Sequence, residues 1–574
     1  MIMIDQNVKN RIALISVFNK EGIVEFAKEL VALGFRILAS GGTAKVLSDA
    51  GIETTDVASL VGGGAILGHR VVTLSREIHA GLLARDIDED RKELDRLHIP
   101  FIDLVCVDLY PLSEEITKHQ PLSNSPQTWG EKQKGLEAVL EKTDIGGPTM
   151  LRSAAKGRRI VVCDPEDRPK IIEWLKNGEP DRENFINKYC AKAEFVVSDY
   201  ALASARYHAQ GKIGGVVAHE VLGLKYGENA WQVPAGLFKN EIEDELAISN
   251  FKLVAGTAPS YNNLADVDRL LQTMTHIAAG FDVNKINLSP DPSPSLGEGR
   301  SKLNIAVGVK HGNPCGASAS QDAKTAIQKM LEGDLRAIFG GVVMVNFKID
   351  EELAEVLLTH RMESGRRLLD GIIAPDFDQK AIELMKRKGD KCRFLVNPAL
   401  TSLSKNSLDQ HSRFRYVRGG FLKQPNYSFI PNLSDPNDTN STRMTRIGNL
   451  SDQQKSDIIL AWAIGSTSNS NTVTVVKNNQ LLGNGVGQQD RVGCCQLAIK
   501  RATDAGHDVK NATAYSDSFF PFVDGVQVLF NAGITTIFAT SGSVRDEEVK
   551  KFCEDNKITL VMLPDKDARG FFGH

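Results

Sequence analysis

Residues 11–43, RIALISVFNKEGIVEFAKELVALGFRILASGGT, set out one complete unit of an α/β fold. RIALISVF and RILAS read as strands, and EGIVEFAKELVALG between them repeats its apolar residues at helical spacing. Ser40-Gly41-Gly42-Thr43 ends the second strand and opens a further helix, which sets backbone N–H groups and a helix N-terminus around a potential anion. Ser16 and Lys20 stand just beyond the first strand, where open parallel sheets bind their ligands. Working outward, DLVCVDLY and RIVVCD supply later strands, so residues 1–215 read as an open α/β domain whose parallel sheet is covered on both faces.

After Gly214-Gly215 the texture changes to glycine-rich loops and short strands: IAVGVKHGNPCG, GGVVMVNF, the hairpin-like TVTVVKNNQLLGNGVG and TTIFAT. Residues 216–574 are expected to form a second, larger α/β domain. ENFINKYCAKAEFVVSDYALASARYHAQ, residues 183–210, is long enough for a helix spanning the boundary. Two stretches look inserted, one at about 287–304 and one at 431–443; both are rich in polar or turn-forming residues that bury little apolar surface. No internal repeat is visible.

The chain has 574 residues, 42% of them hydrophobic, ample for several cores. Its net charge of -4, without a basic tail or a long block of like charge, gives no reason to expect nucleic acid as a partner. The start, MIMIDQNVKNRIALISVF, lacks a basic n-region, an apolar core and a small-residue cleavage site, and no run is long enough to span a membrane. A cytoplasmic protein is expected. The eight cysteines are dispersed except for Cys494 and Cys495, and none shows zinc-ligand spacing with histidine, so buried thiols and no metal are expected.

Three further motifs are more specific. SGGTA from Ser40, LYP at Leu109-Tyr110-Pro111 and DIGGPTMLRSAAK from Asp144 to Lys156 together resemble the IMP cyclohydrolase part of the bifunctional purine-biosynthesis family that joins aminoimidazole carboxamide ribonucleotide (AICAR) formyltransferase to IMP cyclohydrolase. In the rear half, Lys310-His311-Gly312-Asn313-Pro314-Cys315-Gly316 resembles the transformylase signature of the same family, a strand ending in Lys and His before a Gly, Asn and Pro turn.

The resemblance implies nucleotide-phosphate binding by Ser16, Lys20, Ser40, Gly41, Gly42, Thr43, Arg70 and Thr73, with Tyr110, Asp144 and Lys156 as ring-closing residues. Ring closure joins an amide nitrogen to a formyl carbon and expels water, which calls for oxyanion stabilisation and proton transfer; a Tyr hydroxyl beside a Lys supplies both. For formyl transfer it implies His311 as general base, Lys310 as the ammonium that stabilises the tetrahedral oxyanion or helps protonate the departing folate nitrogen, and Asn471 as an orienting group. Lys225, Tyr226, Gly340, Asp370, Arg491, Phe519, Asp524, Ser543, Val544 and Arg569 match family binding positions, Phe519 and Arg569 towards the ribonucleotide and Asp524, Ser543 and Val544 towards the folate. It further implies 10-formyltetrahydrofolate as co-substrate, AICAR, its formylated product FAICAR and IMP as ligands, a methylglyoxal-synthase-like front domain, a duplicated cytidine-deaminase-like rear domain, no zinc, and a homodimer whose transformylase sites use both chains.

The chain departs from the family pattern at definite places. Val72 stands where the family has an active-site lysine, Ser75-Arg76 replaces His-Pro, Gly63 to Leu67 replaces G-F-P-E-M, Phe18 replaces a serine and Asp108 an asparagine. In the rear half Lys225 replaces an arginine and Ala230-Trp231 replaces Pro-His. Losing one ammonium from an oxyanion site costs a few kcal/mol, on the order of 3. Three readings therefore stand open: the full bifunctional enzyme, a transformylase with an impaired front domain, and a noncatalytic nucleotide sensor.

Overall fold

The computed structural model describes residues 11–67, 71–119, 129–288, 303–433 and 444–573. Arg70 and most of both inserted stretches lie outside the described residues. The chain divides into two compact units, Met1–His219 and Glu220–His574.

In the first unit, strands β1 (Arg11–Ser16), β2 (Phe35–Ala39), β3 (Thr54–Asp56), β4 (Leu104–Val107) and β5 (Ile160–Val162) form one sheet in the order β3-β2-β1-β4-β5, every pair parallel. Alternate residues of β1 enter opposite cores. Ala13 and Ile15 pack with Ile23, Phe26, Ala27 and Leu30 of the helix Ile23–Ala32. Leu14 packs with Ile78, Leu82, Met150 and Leu151 on the other side. The helical spacing of Ile23, Phe26, Ala27 and Leu30 gives that helix a single apolar stripe, and each such side chain contributes about 2 kcal/mol on burial. The helix Arg182–His208 ends before the boundary between units; it packs along the first unit and does not cross into the second, a correction to the expected spanning helix. Its buried residues Ile186, Tyr189, Ala193 and Val197 belong to the two cores of the front sheet.

The second unit begins with the two-stranded pair β6 (His219–Leu224) and β7 (Ala235–Lys239). Then follow β8 (Lys252–Ala255), β9 (Asn304–Lys310), β10 (Asn313–Ser320), β11 (Val342–Val345), β12 (Gly371–Ala374) and β13 (Arg393–Val396), the exposed hairpin β14 (Ser412–Val417) and β15 (Gly420–Pro425), and β16 (Thr445–Ile447), β17 (Val473–Lys477), β18 (Gln480–Gly485), β19 (Thr513–Ser516), β20 (Thr536–Ser541) and β21 (Thr559–Pro564). Twelve of these form one sheet, β16-β21-β20-β19-β17-β18-β10-β9-β11-β12-β13-β8.

That order contains the duplication that the family resemblance implies, although no repeat is legible in the residues themselves. A helix, an antiparallel hairpin and three mutually parallel strands, the first antiparallel to the hairpin, occur as β9 to β13 and again as β17 to β21. The leading helices, Tyr261–Val283 and Asp452–Gly465, begin with the same capping box, Ser260 with Asn263 and Ser451 with Gln454. An aspartate one turn further in each then holds the hairpin turn of its own repeat: Asp266 accepts from Gly312 N–H at 2.7 Å, and Asp457 accepts from Asn478 and Asn479 N–H at 3.1 and 2.7 Å. Both turns have two residues at positive φ, His311 and Gly312 at 52° and 70°, Asn478 and Asn479 at 53° and 57°, the type I′ geometry that matches strand twist. Asn313 and Pro314 are therefore the start of β10 and not part of the turn expected there. The repeats share caps and backbone while their side chains have diverged, which is why no repeat shows in the sequence.

The two leading helices cover one face of the sheet with a core continuous across both repeats, including Leu270, Met274, Ile277, Ile458, Trp462, Val307, Met344, Phe538 and Val561. His276 is buried in that core, its ring nitrogens 2.7 Å from Gln272 O and 3.2 Å from Tyr427 O, and burial pushes the imidazole down to about 4. An unfolded chain takes up this proton near its ordinary value of 6.5, so the stabilisation from the neutral ring is complete above that value. It is lost as pH falls from there towards 4, about 3 kcal/mol in all. The urea midpoint of the rear unit should fall between pH 7 and 4.5 more in wild type than in His276→Gln; equal falls would refute this origin.

Candidate active sites

A cavity of about 1370 Å³ opens at the carboxyl ends of β1, β2 and β4, between strands whose connections run to opposite sides. Ser16, Lys20, Ser40, Gly41, Gly42, Thr43, Thr73, Tyr110 and Asp144 all line it. Ser40 precedes the helix Gly41–Asp49 in extended conformation, and its hydroxyl lies 2.8 Å from that of Ser16. Gly41, at φ 48°, and Gly42 carry first-turn N–H groups that no helical carbonyl can reach, a ready seat for phosphate. Thr43 is spent on structure: its hydroxyl donates to Val17 O and accepts from Val17 N–H, both at 3.2 Å.

The charged floor is made by Asp108 and Asp144. Asp108 accepts from Phe18 and Asn19 N–H and pairs with Arg168 at 3.4 Å, yet burial still pushes its carboxyl above the usual range. Asp144 accepts from Gly147 N–H at 2.9 Å, and it too is raised by burial, with the nearby Asp108 charge adding to the effect. A Cβ at Gly147 would stand 2.3 Å from Asp144 Oδ2 and 2.6 Å from Leu109 Cδ2, so glycine lets the helix Gly146–Lys156 come this close. Lys20 donates to Val17 O and Phe18 O, and partial burial lowers its ammonium.

Lys156 is not among the lining residues. It is the last residue of the helix whose first turn faces the cavity, and its side chain is exposed; at 1.5 Å per residue the helix carries it roughly 13 Å from Gly147. The lysine beside Tyr110 is instead Lys142, which sequence reasoning passed over. Its signal was weak: it stands two positions before Asp144, and nothing in the spacing shows where the side chain turns. Tyr200 was missed as well; its hydroxyl accepts from Asp144 N–H at 2.6 Å and donates to Lys142 O at 3.1 Å, clamping the segment.

In the second unit the topology gathers the remaining candidates. β9 runs in the same direction as β18, β19, β20 and β21, and opposite to β11 and β12. One edge of the sheet therefore carries Lys310 and His311 after β9, Gly340 and Asp370 just before β11 and β12, Asn471 before β17, Arg491 after β18, Phe519 and Asp524 after β19, Ser543 and Val544 after β20, and Arg569 after β21. Asn262 Nδ2 donates to Glu228 O at 3.3 Å, which ties the loop bearing Lys225 and Tyr226 to the helix that holds the His311 turn.

Within this edge Lys310 Nζ donates to Phe339 O at 2.6 Å, and the His311 ring is exposed. Burial raises the Asp266 carboxyl despite the Gly312 N–H it accepts. Asn471 is held from both ends of its amide, accepting from Arg491 Nη2 at 2.8 Å and donating to Gln488 O at 2.9 Å. Arg491 in turn pairs with the fully buried Asp517, whose other oxygen accepts from the Ser470 hydroxyl at 2.7 Å.

The family model for the AICARFT/IMPCHase bienzyme matches residues 154–501, more than half of the chain, and an MGS-like domain model matches residues 22–149. The chain belongs to the AICARFT/IMPCHase bienzyme family. Its front unit is thus the MGS-like domain of that family, and the chain is a bifunctional enzyme of purine biosynthesis, formylating AICAR and closing the product to IMP. Two relatives are similar over nearly the whole length. The bifunctional purine biosynthesis protein PurH of Aquifex aeolicus is 31% identical over 558 residues, 96% of this chain and 98% of its own. PurH of Acetivibrio thermocellus is 32% identical over 561 residues, again 96% and 98%. A solved structure, the crystal structure of ForH, is 32% identical and covers 35% of this chain and 99% of its own, with a TM-score of 0.28.

Proposed function

We propose that each unit of this AICARFT/IMPCHase bienzyme runs one half-reaction at the edge of its own sheet. What carries the reading is that the candidates for formyl transfer from Lys310 to Arg569 fall on one edge of the twelve-stranded sheet, with the loop of Lys225 and Tyr226 tied to the helix Tyr261–Val283. There His311 takes the proton from the AICAR amine as it attacks the formyl carbon of 10-formyltetrahydrofolate. Lys310 faces the oxyanion, and Asn471, fixed by Arg491, orients the acceptor. Tyr226, Lys225, Gly340, Asp370, Phe519 and Arg569 surround the ribonucleotide, with Asp524, Ser543 and Val544 on the folate side.

At the front cavity Ser16, Lys20 and the Ser40 to Thr43 turn receive the phosphate of FAICAR, with Thr73 beside them. Tyr110 and Asp144 act at the closing ring. Burial raises the Asp144 carboxyl, so it holds a proton more readily than an ordinary carboxylate. The bifunctional reading is preferred to a sensor because a sensor needs no adjacent Lys310 and His311 at a strand end, the ring of His311 exposed. The purified chain given AICAR and 10-formyltetrahydrofolate should produce IMP, followed by absorbance of both half-reactions. Formyl transfer without ring closure would leave only the transformylase reading, and neither activity would leave the sensor.

The active form is a homodimer in this reading. The hairpin β14–β15 exposes Phe414, Tyr416, Phe421 and Leu422, Tyr416 by 81%, and a lone pair of strands with such an apolar surface is marginal without a cover. Sedimentation equilibrium should give twice the chain mass; a monomer at micromolar concentration would reject it. The cytoplasm is the proposed location, in keeping with eight free cysteines. Among the described residues no helix is long and apolar enough to cross a membrane.

A further inference from the structure

We propose that Lys142 is a catalytic residue of ring closure, the ammonium that meets the oxyanion as it forms. The assignment rests on the front cavity being the cyclohydrolase site. Among the described residues that line this cavity the cations are Lys20 and Lys142. Lys20 is tied down by the carbonyls of Val17 and Phe18 and sits beside Asp108, at the phosphate end. Lys142 is held differently. Its Nζ stands 5.6 Å from the Tyr110 ring centroid and 5.9 Å from that of Phe18, and among the described residues no carboxylate forms an ion pair with it.

The two rings pack edge to face at 5.2 Å, so the ammonium lies against an aromatic corner that attracts it without neutralising it. The backbone beneath is fixed, because Tyr200 bridges Lys142 O and Asp144 N–H. Val72 also lines the cavity and offers no charge. An unpaired ammonium, a phenol and a protonatable carboxyl thus converge on one volume. That is the set ring closure requires.

The step balances as follows. The carboxamide nitrogen of FAICAR forms a bond to the formyl carbon, and the carbonyl electron pair moves onto oxygen, where Lys142 Nζ–H donates to it. That oxygen collects the proton lost by the attacking nitrogen and a second from the formamide nitrogen. It leaves as water while the C–O bond breaks and the ring C=N bond forms. Because the ammonium meets charge that exists only along this path, it acts on kcat more than on binding.

Lys142→Met in the full-length protein, given FAICAR, should lower kcat for ring closure about 100-fold while the affinity for IMP stays within about threefold. Lys142→Arg, which keeps the charge, should recover part of the loss. Adding Val72→Lys to Lys142→Met should restore more, since it returns an ammonium to the same cavity. Formyl transfer measured on each preparation reports that the chain is folded. Ring closure by Lys142→Met within twofold of wild type, or a loss seen only in KM, would overturn the assignment. A wild-type chain that transfers formyl groups but closes no ring would overturn the cyclohydrolase reading of the cavity and this assignment with it; the two failures differ in whether wild type turns over.

Discussion

His311→Ala is expected to lower formyl transfer by about three orders of magnitude while ring closure keeps its wild-type rate. The acceptor amine is conjugated into an imidazole that bears a carboxamide, so it must shed a proton as it attacks, and the base has to be in place at that moment. The hairpin puts it there at a cost. A residue other than glycine held at positive φ is disfavoured by roughly 1–2 kcal/mol, and His311 sits at 52°. In the sister hairpin the equivalent place is taken by Asn478 at 53°, a residue that tolerates this conformation and serves only the turn. His311→Asn should therefore keep the turn and the Asp266 contact yet lose transfer as fully as alanine does. Steady-state assays of both half-reactions on the two variants decide it; transfer within tenfold of wild type in His311→Asn would remove the imidazole from the mechanism.

Breaking the buried pair behind Asn471 should have the second largest effect. Asp517 is fully buried and the Arg491 side chain is 8% exposed. Asp517→Ala leaves a guanidinium without its counter-charge and should destabilise the rear unit by about 3–5 kcal/mol. It should also abolish most transfer, because Arg491 Nη2 is the donor that holds the Asn471 carbonyl. The pair of substitutions Arg491→Met and Asp517→Leu separates these effects. An apolar pair of similar volume removes the uncompensated charge, so stability should return in large part while transfer stays lost. Urea unfolding followed by tryptophan fluorescence gives the first quantity and the transfer assay the second. A double variant that transfers normally would show that Asn471 needs no such anchor.

The candidate residues differ in how far they could be read in advance. Lys310 and His311 could be named because Lys, His, Asn, Pro and Cys stand together in one short stretch. The turn at Ser40 could be named because the strand end, the Gly-Gly pair and the helix start are contiguous in the sequence. Lys156 was placed by its motif, and it is absent from the cavity lining because a helix carries its last residue far from its first turn. Lys142 carried no motif; only the Tyr200 clamp and the two rings reveal where its side chain points.

The sequence by itself determined the α/β class, the strands and helix of the first βαβ unit, the strand-to-helix turn at Ser40 and the place of the Lys310-His311 pair at a strand end, all of which rest on local periodicity and local turn chemistry. Only the tertiary structure decided that two helix-hairpin-strand repeats share one sheet, that residues from Lys310 to Arg569 meet at a single edge of it, and which lysine faces Tyr110. Strand direction and register couple residues far apart in the chain through backbone hydrogen bonds, and those bonds are indifferent to side-chain identity, so no reading of residues in order could have found them.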